Sequence, residues 1–284
     1  ERNLQLRDFF RAGTFTTICV HSNEGAEKYN ENEFETAYKE FMTALKVVPG
    51  DTTALLYGGV SAQQADMNDE AIACFQTLAD NGDANADTYK TLIYLYRSEK
   101  EDMEKVLSTI SQALEKYPTN KEFAQEKITT LIIMERVEEA KSELEEAISN
   151  EPTNAQYYYF LGYLYDQQDE VESAIKNYSK AVELNPDYYE ANYNLGVMHY
   201  NKARDILSEL NNLPLSEYRK AEASYVEKAQ VHFKDALPYF EKAVEIKPDE
   251  DVQLLETLEG VYLRLEMDDK AEALEKRIKA MSGQ

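Results

Sequence analysis

The 284-residue chain predicts an all-α fold built as an array of helical hairpins, and three observations predict it. Pro118, Pro152 and Pro186 are evenly spaced, with a period of about 34 residues. Each closes a run in which small, aromatic and aliphatic residues recur at three- and four-residue steps, the spacing of one helix face. Glycine (10) and proline (7) are scarce while Ala, Glu, Leu, Lys and Tyr dominate, a helix-forming composition with few turns. Self-similarity at this period marks stacked copies of one unit, each burying its apolar face against the next.

The fullest copy justifies its elements in order. A first helix from about residue 155 to 168 carries Tyr158, Leu161 and Tyr165 on one face, and Gly162 beside them lets a partner helix come close. A second helix from about 170 to 184 repeats Ala174, Tyr178 and Ala181 at four and three, and Pro186 ends it. This pattern resembles the tetratricopeptide repeat (TPR), whose consensus sets an aromatic residue, Leu, Gly/Ala, Tyr, Ala, an aromatic residue, Ala and Pro at these spacings. The resemblance covers about 265 of the 284 residues. It implies a right-handed α-α superhelix, a TPR solenoid.

Seven units are expected: 18–51, 52–85, 86–120, 121–154, 155–188, 189–250 and 251–284, after a lead-in at 1–17. The first keeps Gly25, Phe34, Ala37, Phe41, Ala44 and Pro49. The second keeps Leu55, Gly59, Ala71 and Phe75 but has Asp83 in place of proline, so 81–85 reads as a looser joint ending its helix at Gly82. The third has one extra residue in its inner turn, and the fourth is weak in its first helix. The seventh ends in Leu274, Ile278 and Met281 without proline, as a capping helix should.

The sixth unit departs most. The interval from Pro186 to Pro248 exceeds one period by about 28 residues. The surplus reads as helix on both sides of Asn211-Asn212-Leu213-Pro214, with Leu195, His199, Ala203, Ile206 and Leu210 on one arm and Tyr218, Ala221, Tyr225, Ala229, Phe233 and Ala236 on the other. An extended helical hairpin is expected, the surplus shared equally at about 14 residues, or roughly 21 Å, per arm. Pro238 predicts a kink or break in the second arm. An extended penultimate unit is similar to that of certain bacterial TPR proteins. That likeness, with a first residue (Glu1) other than methionine, makes an exported, periplasmic setting the expectation, the cytoplasm being the alternative.

Charge narrows the function classes. Fifty-four acidic residues against 30 basic ones leave a net charge of −24, which repels nucleic acid and anionic lipid and favours solubility or basic protein partners. No stretch reaches the 18 apolar residues of a membrane span. Cys19 and Cys74 imply no disulfide framework, and Cys74 falls on a core face. No phosphate-binding glycine loop, H-E-x-x-H or G-x-S-x-G motif occurs, so no catalytic residue and no cofactor is assigned. His199 and His232 could begin a transition-metal site across the hairpin, but no further ligand is spaced to complete it, and no metal is assigned. The acidic groups around Asp166–Glu170 and Asp249–Asp251 read as helix-terminal residues rather than calcium loops.

The resemblance implies a binding wall on the first helices. Its positions fall on Leu56, Tyr57, Val60 and Gln63; Lys90, Tyr94 and Arg97; Tyr159, Phe160, Tyr163, Asp166 and Gln167; and Tyr193, Asn194, Val197 and Tyr200. Tyrosine suits such a wall because it offers area and a hydroxyl at low entropy cost. The carboxylate clamp of chaperone-binding TPR domains is absent. Its positions hold Ser22, Ala26, Tyr57, Asp87 and Thr91, or Tyr159, Tyr163, Asn194, Gln253 and Thr257, of which Asn194 alone fits. The expected function is a non-catalytic scaffold that binds a protein or peptide segment in its groove. The alternative is an assembly subunit, a homo-oligomer formed through the outer face or the hairpin.

Overall fold

A computed structural model describes residues 20–248 and 252–281. The lead-in at 1–17, Cys19 and the acidic run 249–251 lie outside the described residues. Every regular element among the described residues is a helix. The chain divides into two compact units, Glu1–Arg136 and Val137–Gln284. The division falls inside the stretch 121–154 expected as a fourth repeat.

The N-terminal unit holds α1 (residues 20–30), α2 (Phe34–Val47), α3 (Thr52–Gln64), α4 (Asn68–Asp80), α5 (Ala86–Ser98), α6 (Met103–Lys116) and α7 (Lys121–Ile133). The C-terminal unit holds α8 (Val137–Asn150), α9 (Ala155–Asp166), α10 (Val171–Leu184), α11 (Tyr189–Asn211), α12 (Leu215–Ile246), α13 (Val252–Arg264) and α14 (Asp268–Met281). From α2 to α7, and again from α8 to α14, each helix packs on the next in sequence.

The prolines act through the residue two places later. Pro49, Pro118 and Pro152 are followed at that distance by Asp51, Asn120 and Asn154, whose side chains accept from the first free N–H groups of α3, α7 and α9. After Pro186 the position is Tyr188, which cannot cap. There the buried amide of Asn192 donates to the carbonyls of Pro186 and Tyr188, each at 2.9 Å.

A second regularity lies in the turns. Asn32, Asp66, Glu101, Glu135, Asp169 and Glu266 all take φ between 49° and 62°. Each reverses the chain after a short helix, and the next N–H reaches back over the turn. Met67 reaches Ala62, Glu170 reaches Tyr165 and Met267 reaches Tyr262, each at 2.9 Å, the Schellman closure. The first five recur at the period of the prolines, except that the interval ending at Glu101, in the turn before α6, is longer by a single residue.

The joint at 81–85 is tied rather than loose. Gly82 takes φ 75°, the N–H of Asp83 returns to Leu78 at 2.8 Å, and Asn85 caps α5. Lys116 then donates from α6 to the carbonyls of Gly82 and Ala84, at 2.6 and 2.8 Å. A charge-assisted clamp replaces the missing proline.

Small–aromatic–small triplets on three second helices (Ala37, Phe41 and Ala44; Ala174, Tyr178 and Ala181; Ala236, Phe240 and Ala243), and Ala71, Phe75 and Leu78 on α4, form the cores and are all buried. Cys74 is buried beside them, and desolvation pushes its thiol up to about 11. Gly162 on α9 meets the Tyr178 ring so closely that a Cβ would stand 2.7 Å from Cδ1.

The long hairpin is α11 and α12, which pack against each other with a short turn at 212–214. Two expectations are corrected here. The surplus is shared unequally, because α11 has 23 residues and α12 has 32, against 12 to 14 in α2–α10, α13 and α14. Of the kink or break expected at Pro238, the break does not occur, because α12 stays helical through it. Packing of Phe233, Ala236 and Phe240 on both sides of the proline holds the helix where local propensity would end it.

Candidate functional site

Three of the expected wall residues lie in the N-terminal unit on one helix. Lys90, Tyr94 and Arg97 share one face of α5. Opposite them on α7, Glu122 pairs with Lys90 at 2.6 Å, and Glu126 pairs with Arg97. Arg97 also donates to Thr130 at 3.2 Å. These rungs border a cavity of roughly 200 Å³ floored by Ile93 and Phe123, with Tyr94 57% exposed at its mouth. Tyr57 on α3 is 50% exposed and lies against Phe41, ring centroids 6.0 Å apart. Such a surface can take an apolar side chain below and satisfy polar groups at its rim.

The wall residues of the C-terminal unit divide into two groups. Tyr159 is half-buried in an aromatic cluster, its ring 5.0 Å from Tyr188, 5.7 Å from Phe160 and 5.8 Å from Tyr178. The fully buried Tyr178 hydroxyl accepts from Asn194 at 3.3 Å and neighbours the Asp166 carboxylate. Burial, and then the neighbouring Asp166 carboxylate, push the Tyr178 hydroxyl far up. Burial and the neighbouring Asp169 raise the Asp166 carboxyl, and the Tyr178 hydroxyl only partly offsets them. Tyr163 stands one turn from Tyr159 and is half-buried, while Gln167 is exposed beyond the end of α9.

The second group serves α11. Tyr193 stacks on Tyr189 at 6.1 Å, and Lys247 sits 4.3 Å over the Tyr189 ring. Tyr200 packs on Phe233 and Phe240, at 5.7 and 6.2 Å, and so takes part in the hairpin core. Sequence reasoning missed the part played by Tyr178. It is the one second-helix aromatic with a hydroxyl among Phe41, Phe75, Tyr178 and Phe240, and that hydroxyl reaches the wall. The signal was available, since Asp166 and Asn194 both stand at wall positions on the neighbouring helices.

A family model for the TPR repeat matches residues 162–202. The C-terminal part of a TPR repeat-containing protein from Cytophaga hutchinsonii superposes with a TM-score of 0.57 at 16% identity, covering 92% of this chain and 95% of that one. The chain carries a TPR repeat at 162–202 and has the TPR solenoid fold.

The MamA protein is also similar to this TPR chain, at 20% identity and a TM-score of 0.49 over 69% of this chain and 90% of that one. A 61-residue stretch, 22% of the chain, is 38% identical to a probable biofilm formation methyltransferase, WspC, of Pseudomonas putida. That stretch spans 14% of the curated relative's length. TPR proteins are typically non-catalytic scaffolds for protein or peptide partners. No described helix of this TPR chain is long and apolar enough to cross a membrane.

Proposed function

We propose that this TPR protein is a non-catalytic scaffold that holds a protein or peptide segment against its first-helix faces. The observation that carries this reading is Tyr94, more than half exposed at the mouth of a cavity with an apolar floor and a charged rim. A large aromatic left in water beside a concave surface is the common form of a recognition anchor. Tyr57 adds a second exposed ring in the same unit, and the half-buried Tyr163 and Phe160 offer a comparable wall in the other. The net charge of −24 favours a basic segment.

The test places a photo-crosslinking amino acid at Tyr94 in the full chain, and at the exposed Ser108 on α6 as a control. Adducts with a discrete partner from Tyr94 and not from Ser108 are expected. Equal labelling at both positions, or labelling from Ser108 alone, overturns the groove reading.

A second reading, self-association, is favoured by Leu215 and Val226, apolar and exposed on one face of α12. Light scattering across concentration, on the native chain and on a Leu215→Ser/Val226→Ser variant, decides it. A constant monomer removes it.

A further inference from the structure

His199 on α11 and His232 on α12 face each other across the hairpin with ring centroids 6.4 Å apart. Two imidazoles alone make no site, but the fold adds a third donor. Asp235, one turn beyond His232, sets Oδ2 at 4.0 Å from Nδ1 of His199 and 3.9 Å from Nδ1 of His232. Ligand atoms of all three residues lie within 4.8 Å of one another. Both Nδ1 atoms are buried and make no hydrogen bond, and the carboxylate stands beyond hydrogen-bond reach. Two buried ring nitrogens turned to one carboxylate, neither satisfied, are an unfavourable arrangement unless something joins them.

We propose that His199, His232 and Asp235 bind a divalent first-row transition ion that pins the two arms of the hairpin together, with Zn²⁺ as the best-matched probe. Imidazole and carboxylate suit such ions, and three protein donors leave a fourth position for water. Metal–donor bonds of about 2.0–2.2 Å around a tetrahedral ion set neighbouring donors roughly 3.3–3.6 Å apart. The Asp235 separations therefore need to close by about half an ångström, which rotation of its half-exposed side chain can supply, and the two imidazole donors, within 4.8 Å of each other, must also draw together.

Its surroundings favour the site. The Tyr239 ring stacks on His199 at 5.9 Å and 10°, which fixes the imidazole plane. Lys202, the cation that opposes His199, is drawn off to Glu172 on α10 at 3.1 Å. A second cluster of His21, Glu24 and Glu40 lacks the distinguishing feature, because Nδ1 of His21 is already bonded to Glu40 at 2.8 Å.

The experiment is calorimetric titration of the chelator-treated full chain with Zn²⁺, repeated with His21→Gln, His232→Gln and Asp235→Asn. Circular dichroism verifies that each variant keeps its helices, and visible absorption of the Co²⁺-loaded protein reports geometry. One ion per chain is expected in the native protein and in His21→Gln. Affinity should fall at least about tenfold in His232→Gln and Asp235→Asn, with loss of the Co²⁺ bands. Saturating Zn²⁺ should raise the melting temperature of the native chain but not that of Asp235→Asn. Absence of stoichiometric binding, or binding removed by His21→Gln and untouched by the other two, overturns the proposal.

Discussion

Gly196 and Phe240 stand much farther apart in the chain than Gly162 and Tyr178, yet the two pairs meet equally closely. A Cβ on Gly196 would lie 2.7 Å from Cδ1 and Cε1 of the Phe240 ring. Gly25 with Phe41 and Gly59 with Phe75 repeat the relation, at the same short chain spacing as Gly162 with Tyr178. The long hairpin is therefore an insertion that leaves the contact at its root unchanged. Gly196→Ala should destabilise the chain by about 1–3 kcal/mol, because the ring is enclosed and cannot give way. Denaturant unfolding checks the loss. Combining Gly196→Ala with Phe240→Leu should cost less than the two single changes added together, since the smaller side chain makes room.

Glu266 takes φ 57° in a turn that glycine would adopt without strain. Glu266→Gly relieves about 1 kcal/mol of backbone strain and gives part of it back to the unfolded chain. A small rise in melting temperature is expected, and Glu266→Val should lower it. If the two variants shift in the same direction, the strain account fails.

Lys116 joins two carbonyls of the joint between α4 and α5. Lys116→Met keeps the aliphatic stem and removes the donors. A loss of about 1–2 kcal/mol follows for a charge-assisted pair of which one member is partly buried. Hydrogen exchange at Asp83 and Ala84 should quicken in the variant. Unchanged exchange would show that the Schellman turn holds the joint unaided.

The Asp166 carboxyl is raised above its ordinary value of 3.8, by burial first and Asp169 second. The folded chain then binds a proton more tightly than the unfolded one in the window just above that value. Stability from this group is full below the ordinary pKa and falls as pH rises through the raised one. Asp166→Asn removes that fall, so the variant should gain on the native chain between acid and neutral pH. Paired urea titrations across that range measure the difference, and a constant difference refutes it.

The local elements were legible because their causes are local. Proline spacing, the Asp or Asn two residues later and the three–four periodicity of Ala174, Tyr178 and Ala181 each act within a few turns. The left-handed turns carry a weaker signal, since Asp and Glu there advertise nothing that glycine would. The break that Pro238 allowed does not occur for the same reason: its propensity is local, while Phe233 and Phe240 hold α12 together through tertiary contacts. Among the wall residues, Tyr94 and Tyr57 are exposed, whereas Tyr200 faces a core formed by residues of the opposite arm, far along the chain.

By itself the sequence determined the helices, their pairing period and the existence of a long hairpin, because each follows from short-range sterics and hydrophobic spacing. Tertiary structure alone decided how the surplus residues divide between the arms. It also decided that the Tyr178 hydroxyl meets Asn194 beside Asp166, and that Asp235 approaches both histidines. Those outcomes depend on the distance between side chains on different helices, which packing sets to within an ångström and periodicity leaves open.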